Sequence, residues 1–404
     1  MPVILALLVL ATAAFTDVVT DMLPAGLLPA MSASLHVSGA RIGLLVTAFA
    51  IASAAAAIPV TALLRNLPRR PVLAGALAGF AVLDAVTAVS PSYSLTFAAR
   101  LLLGIMGGTL WSLLAGYATS IVPAQRRGRA LAIVLAGITA ALCLGVPGGA
   151  AVAGLIGWRG CFAVLAGLAL LLAAVILRWL PDAPAEGAPA EDAEDAPAED
   201  AGGRAPARRV LPRVTGVLAV TFLLLAGHQA MYTYIAPFLA WSGSGRASVV
   251  LMVFGAATVG GIWIAGLHAD RHSTLTLALA LTAVMTAMVA LGLRAEPFVP
   301  VVLWGMAYGA APTLLQTLLI SAAGPANADV ATGMQTTVFN LGIAAGSLAG
   351  GIVLDQAGAG VLPWVTCALS GTAIAVLGVS VQRRVEAGGD GGVHPAPTRG
   401  QAVG

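Results

Sequence analysis

The stretch LTFAARLLLGIMGGTLWSLLAGYAT, residues 95–119, decides the fold class of this 404-residue chain. It carries one charged side chain, Arg100. It is long enough to cross a bilayer as one helix, which takes about 20 apolar residues. Similar apolar runs fill most of the sequence. The chain is therefore predicted to be an all-α membrane protein that crosses the lipid bilayer many times.

The composition of the whole chain excludes the common soluble classes. Hydrophobic residues make up 59% of it and charged residues 9%, with a mean hydropathy of +0.95. Because soluble proteins are about 25% charged, soluble enzymes, nucleic-acid binders and disordered scaffolds are excluded. The net charge of +3 comes from basic residues that are all arginine. They cluster in short segments between apolar runs, as loops of membrane proteins do, and nucleic acid is not an expected partner.

Twelve apolar runs predict twelve transmembrane helices in two groups of six. They are expected near residues 4–31, 41–64, 71–90, 95–119, 129–154, 160–180, 213–240, 247–267, 274–293, 297–322, 330–353 and 361–381. The segment between the groups is acidic and rich in Ala and Pro, then basic, a composition that cannot bury enough apolar surface to fold. The predicted organisation is an N-terminal six-helix bundle at 1–180, a flexible linker at 181–212, a C-terminal bundle at 213–382 and a disordered tail at 383–404.

The distribution of arginine gives the expected orientation. If the N-terminus is cytoplasmic, fifteen arginines lie in inner loops or the C-terminal tail, four lie in outer loops, and Arg100 lies within a span. Inner loops of membrane proteins carry the excess of basic residues. Both termini are therefore expected in the cytoplasm, with the protein in the inner (plasma) membrane.

The two groups of helices resemble each other. Gly104 and Gly108 in the fourth span have counterparts in Gly305 and Gly309 of the tenth. The fifth and eleventh spans are also rich in glycine, at Gly145, Gly148, Gly149, and at Gly342, Gly346, Gly350 and Gly351. Small residues four apart let membrane helices pack closely. The pattern indicates a parallel repeat, as found in transporters.

Five stretches match motifs of one transporter family: GLLP at 26–29, a glycine-rich run ending in GVPGG at 137–149, GWRGCF at 157–162, YTYIAPFL at 232–239 and NLGIAAG at 340–346. Together they resemble the major facilitator superfamily, in particular its twelve-helix drug:proton antiporter branch, which includes sugar-efflux and chloramphenicol-efflux-like transporters. The resemblance implies two pseudo-symmetric six-helix bundles around a central cavity that opens alternately to each side. It assigns the antiporter motif of the fifth span to Gly137, Gly145, Pro147, Gly148 and Gly149.

One family motif is present in only one half. The family's inner loop reads Gly-x-x-x-Asp-Arg, and the second half keeps it as Gly266, Asp270 and Arg271. The first half has RNLPRR at 65–70 instead, with no acidic residue. In the family this motif latches the inner ends of helices through charge pairs, so the usual gating contact is not expected in the first half.

Four charged residues lie within predicted spans: Asp17, Asp21, Asp84 and Arg100. A charged side chain near the bilayer centre costs at least about 2.5–3.5 kcal/mol, so each one is a functional hypothesis. Asp17 and Asp21 are one turn apart on one helix face. Arg100 is expected at the depth of Asp21, and the glycine alignment gives Val301 as its counterpart, so the fold accepts an apolar residue there.

The resemblance implies roles for these charges. Asp21 matches the acidic position of the family's first span, and Arg100 with Gly104 matches the arginine motif linked to proton transfer. Burial favours a protonated carboxyl group and a nearby cation favours the ionised form, so a cycle between the two environments moves a proton. The hypothesis is that Asp21 carries the proton, Arg100 tunes it and Asp17 is a second carrier. The alternatives are a permanent Asp21–Arg100 bridge, a solvated Asp17 on the cavity wall, and Asp84 as a helix-pair residue.

A substrate cavity needs apolar surface with a few polar groups. The residues predicted to supply those groups are Gln229, Tyr232, Trp111, Tyr308, Gln316 and Asn340. Tyr and Trp also anchor helices at membrane interfaces, so a purely structural role remains the alternative for them. A lone histidine such as His228 is more often a core residue with satisfied hydrogen bonds.

The predicted function is efflux of a small, largely apolar, drug-like compound in exchange for protons, by a monomer that uses alternating access. The alternatives are export of a sugar or other small metabolite and, from a different class, a transporter-like receptor or membrane enzyme. No cofactor or metal is expected. The chain has no lysine for a nucleotide-binding Gly-Lys loop, and no His/Cys cluster has metal-site spacing.

Overall fold

A computed structural model describes residues 2–64, 67–181, 207–244 and 247–389, and these ranges contain helices and no β-strand. The N-terminal half has α1 (Val3–Gly26), α2 (Leu28–Leu35), α3 (Gly39–Leu64), α4 (Arg69–Val89), α5 (Tyr93–Ser120), α6 (Arg127–Ala140), a π-helical turn (Ala141–Gly145) and α7 (Val146–Trp179). The C-terminal half has α8 (Ala207–Tyr232), α9 (Ile235–Ser242), α10 (Ala247–Gly292), α11 (Phe298–Ala323), α12 (Ala328–Ala357) and α13 (Leu362–Gly389).

The described helices cross the membrane twelve times. Eleven apolar runs are long enough to span it, and one of them, Arg127–Trp179, has 53 residues and so supplies two crossings. Its turn is at Gly157, whose φ of 73° and ψ of 165° are not helical. Across this turn, Cys161 Sγ lies 3.5 Å from the Gly149 carbonyl oxygen, which requires the two segments to run antiparallel. In α10 a non-helical residue, His272, separates two further crossings.

Twelve crossings place the start of α1 and the end of α13 on one side of the membrane. The end of α7 and the start of α8 lie on the same side, because the sixth crossing ends there and the seventh begins there. We call this side the linker side and the opposite one the far side. The predicted fold class, twelve transmembrane helices in two pseudo-symmetric six-helix bundles, is confirmed.

Two predicted helices, 4–31 and 213–240, are broken near their far-side ends. The first breaks at Leu27, between α1 and α2, and the second at Thr233 and Tyr234, between α8 and α9. The short helix that follows each break, α2 or α9, has a proline in its first turn, where the missing N–H breaks no helical hydrogen bond. The sequence prediction of one continuous helix was wrong at both places.

The predicted boundaries of the linker and tail also differ from the structure. Helix α8 begins at Ala207, inside the predicted linker, and α13 continues to Gly389, inside the predicted disordered tail. Both extensions consist mainly of good helix formers, and a helix can continue past the membrane into water. The rest of the linker, 182–206, and of the tail, 390–404, lies outside the described residues.

The predicted repeat is visible in how the helices pack. In each half, two glycines on one helix lie against the backbone of a neighbouring helix so closely that a Cβ atom would collide with it. The corresponding contacts are Gly104 on Phe49, Gly108 on Ser53, Gly305 on Phe254 and Gly309 on Thr258. This register makes Phe49 the counterpart of Phe254 and confirms Val301 as the counterpart of Arg100.

A second set of glycine contacts repeats between the halves. The antiporter-motif glycines lie along α1, and glycines of α12 lie along α8 in the same order. The contacts are Gly137 on Ala11, Gly145 on Val19, Gly149 on Leu23, Gly342 on Phe222, Gly346 on Ala226 and Gly350 on Ala230. Gly145 and Gly149 correspond to Gly346 and Gly350, as the positive-φ glycines Gly157 and Gly358 correspond, and this register makes Asp21 the counterpart of His228.

The two halves meet on the far side. The Ser347 hydroxyl of α12 donates to the Gly43 carbonyl of α3 at 2.9 Å. Thr47 of α3 and the Ala344 carbonyl are 3.4 Å apart. A third contact between the halves, from the Ser38 hydroxyl to Asp355 Oδ2 at 3.3 Å, also lies on the far side. This conformation is therefore closed toward the far side.

Candidate functional site

Four ionisable side chains lie buried among α1, α4 and α5, and we call them the acid cluster: Asp17, Asp21, Asp84 and Arg100. Asp17 is 3% exposed, Asp21 is 9% exposed, and Asp84 and Arg100 are fully buried. Since charged groups are costly at membrane depth, this cluster is the first candidate for a functional site.

Arg100 binds both backbone and side-chain acceptors. Its guanidinium donates to the carbonyl oxygens of Thr20 at 2.6 Å, Asp21 at 2.9 Å and Leu45 at 3.4 Å. Its Nη2 atom is 3.6 Å from Asp21 Oδ1. The cation lies 4.9 Å from the centre of the Phe49 ring. The similar depth predicted for Asp21 and Arg100 is confirmed, and the two side chains form an ion pair.

Pro24 explains why a carbonyl oxygen of α1 is available to Arg100. Proline has no backbone N–H, so the Thr20 carbonyl four residues earlier lacks its usual helical hydrogen bond. The Arg100 guanidinium donates to this oxygen instead. The proline inside the first span thus prepares one of the acceptors that hold the arginine.

Asp84 joins the acid cluster from α4. Its Oδ2 atom accepts a hydrogen bond from the Thr20 hydroxyl at 3.1 Å. The expectation of a helix-pair residue holds, since this bond joins α4 to α1. Because the carbonyl of the same threonine binds Arg100, Asp84 also belongs to the site.

The acid cluster has three carboxyl groups and one guanidinium. The Oδ1 atoms of Asp17, Asp21 and Asp84 are buried and form no hydrogen bond with the described residues. The alternative of a solvated Asp17 on the cavity wall is wrong for this conformation, because the side chain is buried. Buried net charge is costly, so three carboxyl groups beside one guanidinium are an unusual arrangement at this depth.

A second buried cluster lies in the C-terminal half, among α8, α10 and α11. We call it the aromatic cluster: His228, Tyr232, Phe254, Trp304 and Tyr308. The His228 ring is stacked 3.6 Å from the Tyr308 ring with 14° between their planes. Ring centres of Tyr232, Trp304 and Phe254 lie 5.1, 5.3 and 5.6 Å from that of His228.

Three polar atoms of the aromatic cluster are buried without a hydrogen-bond partner among the described residues. They are His228 Nδ1, Tyr232 Oη and Trp304 Nε1. The expectation that His228 is a core residue with satisfied hydrogen bonds is therefore wrong. A buried polar group left unpaired costs about 1–3 kcal/mol, so three in one cluster call for an explanation.

The predicted cavity residues are only partly brought together. Tyr232 and Tyr308 belong to the aromatic cluster, and the buried Gln229 beside them donates to Thr233 at 3.0 Å. The others lie apart from it: half-buried Trp111, exposed Gln316, and half-buried Asn340, which donates to the carbonyl of Thr336 at 3.0 Å. Trp304 and Phe254 were missed. The four-residue spacing of Trp304 and Tyr308, like that of His228 and Tyr232, was the available signal.

The antiporter motif packs against the helix that carries Asp17 and Asp21. Gly137, Gly145 and Gly149 face α1, and Pro147 follows the π-helical turn. Open space surrounds Gly148, so it is not part of this contact. The motif thus sets the distance between α1 and the fifth crossing.

The inner-loop segment of the first half and part of the motif in the second half are described in the structure. In the first half, Arg70 donates to the carbonyl oxygens of Ile176 at 3.1 Å and of Leu177, at the C-terminal end of α7. A cation is favourable there because of the helix dipole. In the second half, open space surrounds Gly266. The side chains of Asp270 and Arg271 lie outside the described residues.

Comparisons with known proteins agree with this architecture. The sequence model of the Major Facilitator Superfamily matches residues 10–347. The chain is 31% identical to a chloramphenicol efflux pump of Mycobacterium tuberculosis, over 93% of this chain and 92% of that protein. It is 26% identical to a probable sugar efflux transporter of Helicobacter pylori, over 89% of this chain and 91% of that protein.

Among solved structures, the fold is similar to that of a bacterial homologue of the human lysosomal transporter Spinster in an inward-facing and unoccupied conformation. The TM-score is 0.73 at 16% identity, and 95% of each chain is covered. The family predicted from the sequence motifs is confirmed: this chain belongs to the Major Facilitator Superfamily and is a multi-span membrane transporter rather than an enzyme.

Proposed function

We propose that this protein exports a small, largely apolar, drug-like compound in exchange for protons, by alternating access in a monomer. The observation that carries the proposal is the acid cluster, in which three buried carboxyl groups share one guanidinium. Such a cluster exchanges protons with water whenever a conformational change hydrates it, because water restores the solvation that burial removed.

Within the acid cluster, Asp21 carries the transported proton and Arg100 controls its release. Asp21 is paired with Arg100 at 3.6 Å and is the most exposed of the three acids, at 9%. Movement of α1 against α5 changes this distance and with it the balance between the ionised and protonated forms. Asp17 and Asp84 hold further protons. The cluster is neutral only when two of its three carboxyl groups are protonated.

The proposal also places both termini in the cytoplasm, so that the linker side is the cytoplasmic side of the inner membrane. The positive-inside bias of the arginines supports this orientation. The conformation described here is then closed toward the outside, so the substrate of an exporter cannot leave from it until the far-side contacts open. Protons enter from the far side once the contacts between α3 and α12 open.

The substrate is proposed to be largely apolar because aromatic and aliphatic side chains dominate the centre of the molecule. Chloramphenicol, which the mycobacterial relative is named for, is the first compound to test. The second candidate function is export of a sugar or similar metabolite. The full-length similarity to a probable sugar efflux transporter favours it.

The test uses proteoliposomes with an imposed pH gradient, a panel of antibiotics and sugars, and the variant Asp21→Asn. We expect the gradient to drive accumulation of an apolar compound in the wild type. In the variant, accumulation should be lost while exchange of labelled for unlabelled substrate continues. Glu296→Gln, which changes an exposed acid in a far-side loop, is the matched control.

Two results would refute parts of the proposal. Accumulation that persists in Asp21→Asn would show that another group carries the proton. Substrate movement by the wild type that ignores the pH gradient would exclude proton coupling itself.

A further inference from the structure

We propose that the aromatic cluster is a binding subsite for a flat aromatic ring of the transported compound, and that the His228 side chain fills this subsite when no compound is bound. The inference rests on the proposed function, because it names the substrate chemistry of the same transporter. It concerns ring recognition in the C-terminal half and is separate from proton coupling in the acid cluster.

The first argument is the way in which the cluster holds the His228 ring. The imidazole lies face to face with Tyr308, with 14° between the planes. The rings of Tyr232 and Phe254 are inclined to it by 28° and 25°. Aromatic pairs with ring centres about 4.5–7 Å apart gain energy beyond simple burial, and the rings of Tyr232 and Phe254 lie 5.1 and 5.6 Å from that of His228. A space that holds one flat ring in this way also fits the ring of a ligand once the histidine swings out.

The second argument is the set of unpaired polar atoms around that space. Trp304 Nε1 can only donate a hydrogen bond, Tyr232 Oη can donate and accept, and His228 Nδ1 does one or the other according to its tautomer. Unpaired buried groups cost free energy, which a bound molecule can recover by pairing with them. The ligand is therefore an aromatic ring that carries hydrogen-bonding substituents.

The third argument is the position of the cluster at the boundary between the halves. Gln229, next to His228 in the chain, lies 3.6 Å from the sulfur of Met22 on α1. The Gly255 carbonyl, next to Phe254, accepts a hydrogen bond from Cys143 at 2.8 Å. Both contacts cross between the halves. The movements that alternating access requires therefore also open and close the aromatic cluster.

Chemical rescue tests the inference without knowledge of the natural substrate. The variant His228→Ala is purified in detergent and its thermal unfolding is followed with imidazole or with the saturated ring cyclopentanol. At about pH 8 imidazole is uncharged, like the side chain it replaces. We expect imidazole to raise the melting temperature of the variant but not of the wild type, and cyclopentanol to have no effect. Equal effects of the two compounds, or no effect of imidazole, would overturn the inference.

A second measurement covers the case in which His228→Ala fails to fold. Chloramphenicol binding is measured by equilibrium dialysis for Tyr308→Phe, which keeps the ring, and Tyr308→Leu, which removes it. We expect about a tenfold loss of affinity for the leucine variant, the size of a lost aromatic pair, and little change for the phenylalanine variant. The control is Trp241→Leu, which removes an exposed aromatic at the far end of the same half. Equal loss in the control, or none in Tyr308→Leu, would contradict the inference.

Failure of this inference and failure of the proposed function give different results. Asp21→Asn should bind chloramphenicol as the wild type does while losing gradient-driven accumulation. Tyr308→Leu should bind more weakly and still couple to the gradient at saturating substrate. If Tyr308→Leu binds normally, the ring subsite is wrong and proton coupling stands. If Asp21→Asn still accumulates substrate, the assignment of Asp21 as proton carrier is wrong and the ring subsite stands.

Discussion

Asp21 in the N-terminal half corresponds, through the repeated glycine contacts, to His228 in the C-terminal half. Each forms a buried pair with a residue one turn away on the first helix of its bundle, Asp21 with Asp17 and His228 with Tyr232. Around the first pair the molecule places a guanidinium and a third carboxyl group, and around the second it places aromatic rings. Equivalent positions of one repeated scaffold therefore carry opposite chemistry.

The glycine contacts show how this divergence is possible. They fix the separation of the backbones in both halves, so the side chains between them can change without moving the helices. Gly107 and its counterpart Tyr308 illustrate this. A Cβ atom at Gly107 would lie 2.8 Å from Asp17 Oδ1, so glycine leaves room for the carboxyl group. In the other half the same position supplies the ring that stacks on His228.

Among the substitutions that test this difference between the halves, removal of Arg100 should have the largest effect on transport and stability. In Arg100→Ala the three carboxyl groups lose the cation they share, and breaking a buried ion pair by removing one partner costs about 3–5 kcal/mol. We expect gradient-driven transport to be lost and the melting temperature in detergent to fall sharply. Arg41→Ala is the control, because Arg41 is exposed and lies over the Tyr93 ring on the far side.

Arg100→Lys tests whether charge alone explains this effect. Lysine keeps the positive charge but lacks the planar fork that reaches three carbonyl oxygens at once. We expect it to restore part of the stability and little of the transport. A lysine variant with wild-type transport would show that the hydrogen bonds to α1 and α3 do not matter.

Phe49 and Phe254, which occupy equivalent positions in the two halves, give a more direct contrast between the halves. Phe49→Leu removes the ring beneath Arg100, a cation–π contact worth about 0.5–2 kcal/mol. Phe254→Leu removes a wall of the aromatic cluster. We expect the first variant to weaken accumulation at a given pH gradient and the second to weaken binding of ring-containing compounds. The same change in both properties for both variants would contradict the division of roles between the halves.

The fold could be predicted almost completely from the sequence. Apolar runs were sufficient to place twelve crossings, because the bilayer sets the length of each helix. The breaks at Leu27 and Tyr234 were not predictable from prolines alone. Proline is tolerated inside membrane helices, as Pro59 and Pro312 are here, so its presence does not distinguish a bend from a break.

The candidate site was only partly predictable. The ion pair of Asp21 and Arg100 followed from their depths, since charged groups at one depth in a bilayer seek each other. The burial of Asp17 and the ring packing around His228 did not follow. Both depend on which side of α1 and α8 turns toward the neighbouring helices, and the uniformly apolar sequence around them does not specify it.

The smallest expected effect concerns the hydrogen bond between Thr20 and Asp84. Thr20→Val keeps the shape of the side chain and removes the hydroxyl that donates to Asp84 Oδ2 at 3.1 Å. The register makes Gly227 the counterpart of Thr20, so the repeated scaffold does not require a hydroxyl there. We expect a loss of about 0.5–1.5 kcal/mol in the free energy of unfolding and a modest loss of accumulation.

A double-mutant cycle separates this hydrogen bond from other effects of the substitution. Thr20→Val, Asp84→Leu and the double variant are compared by unfolding in sodium dodecyl sulfate and by accumulation at a fixed pH gradient. If the bond stabilises Asp84 within the acid cluster, Thr20→Val should cost little once Asp84 has been replaced by leucine. Equal costs in both backgrounds would show that the hydroxyl acts independently of Asp84. The acid cluster would then reduce to Asp17, Asp21 and Arg100, with one proton rather than two needed for neutrality.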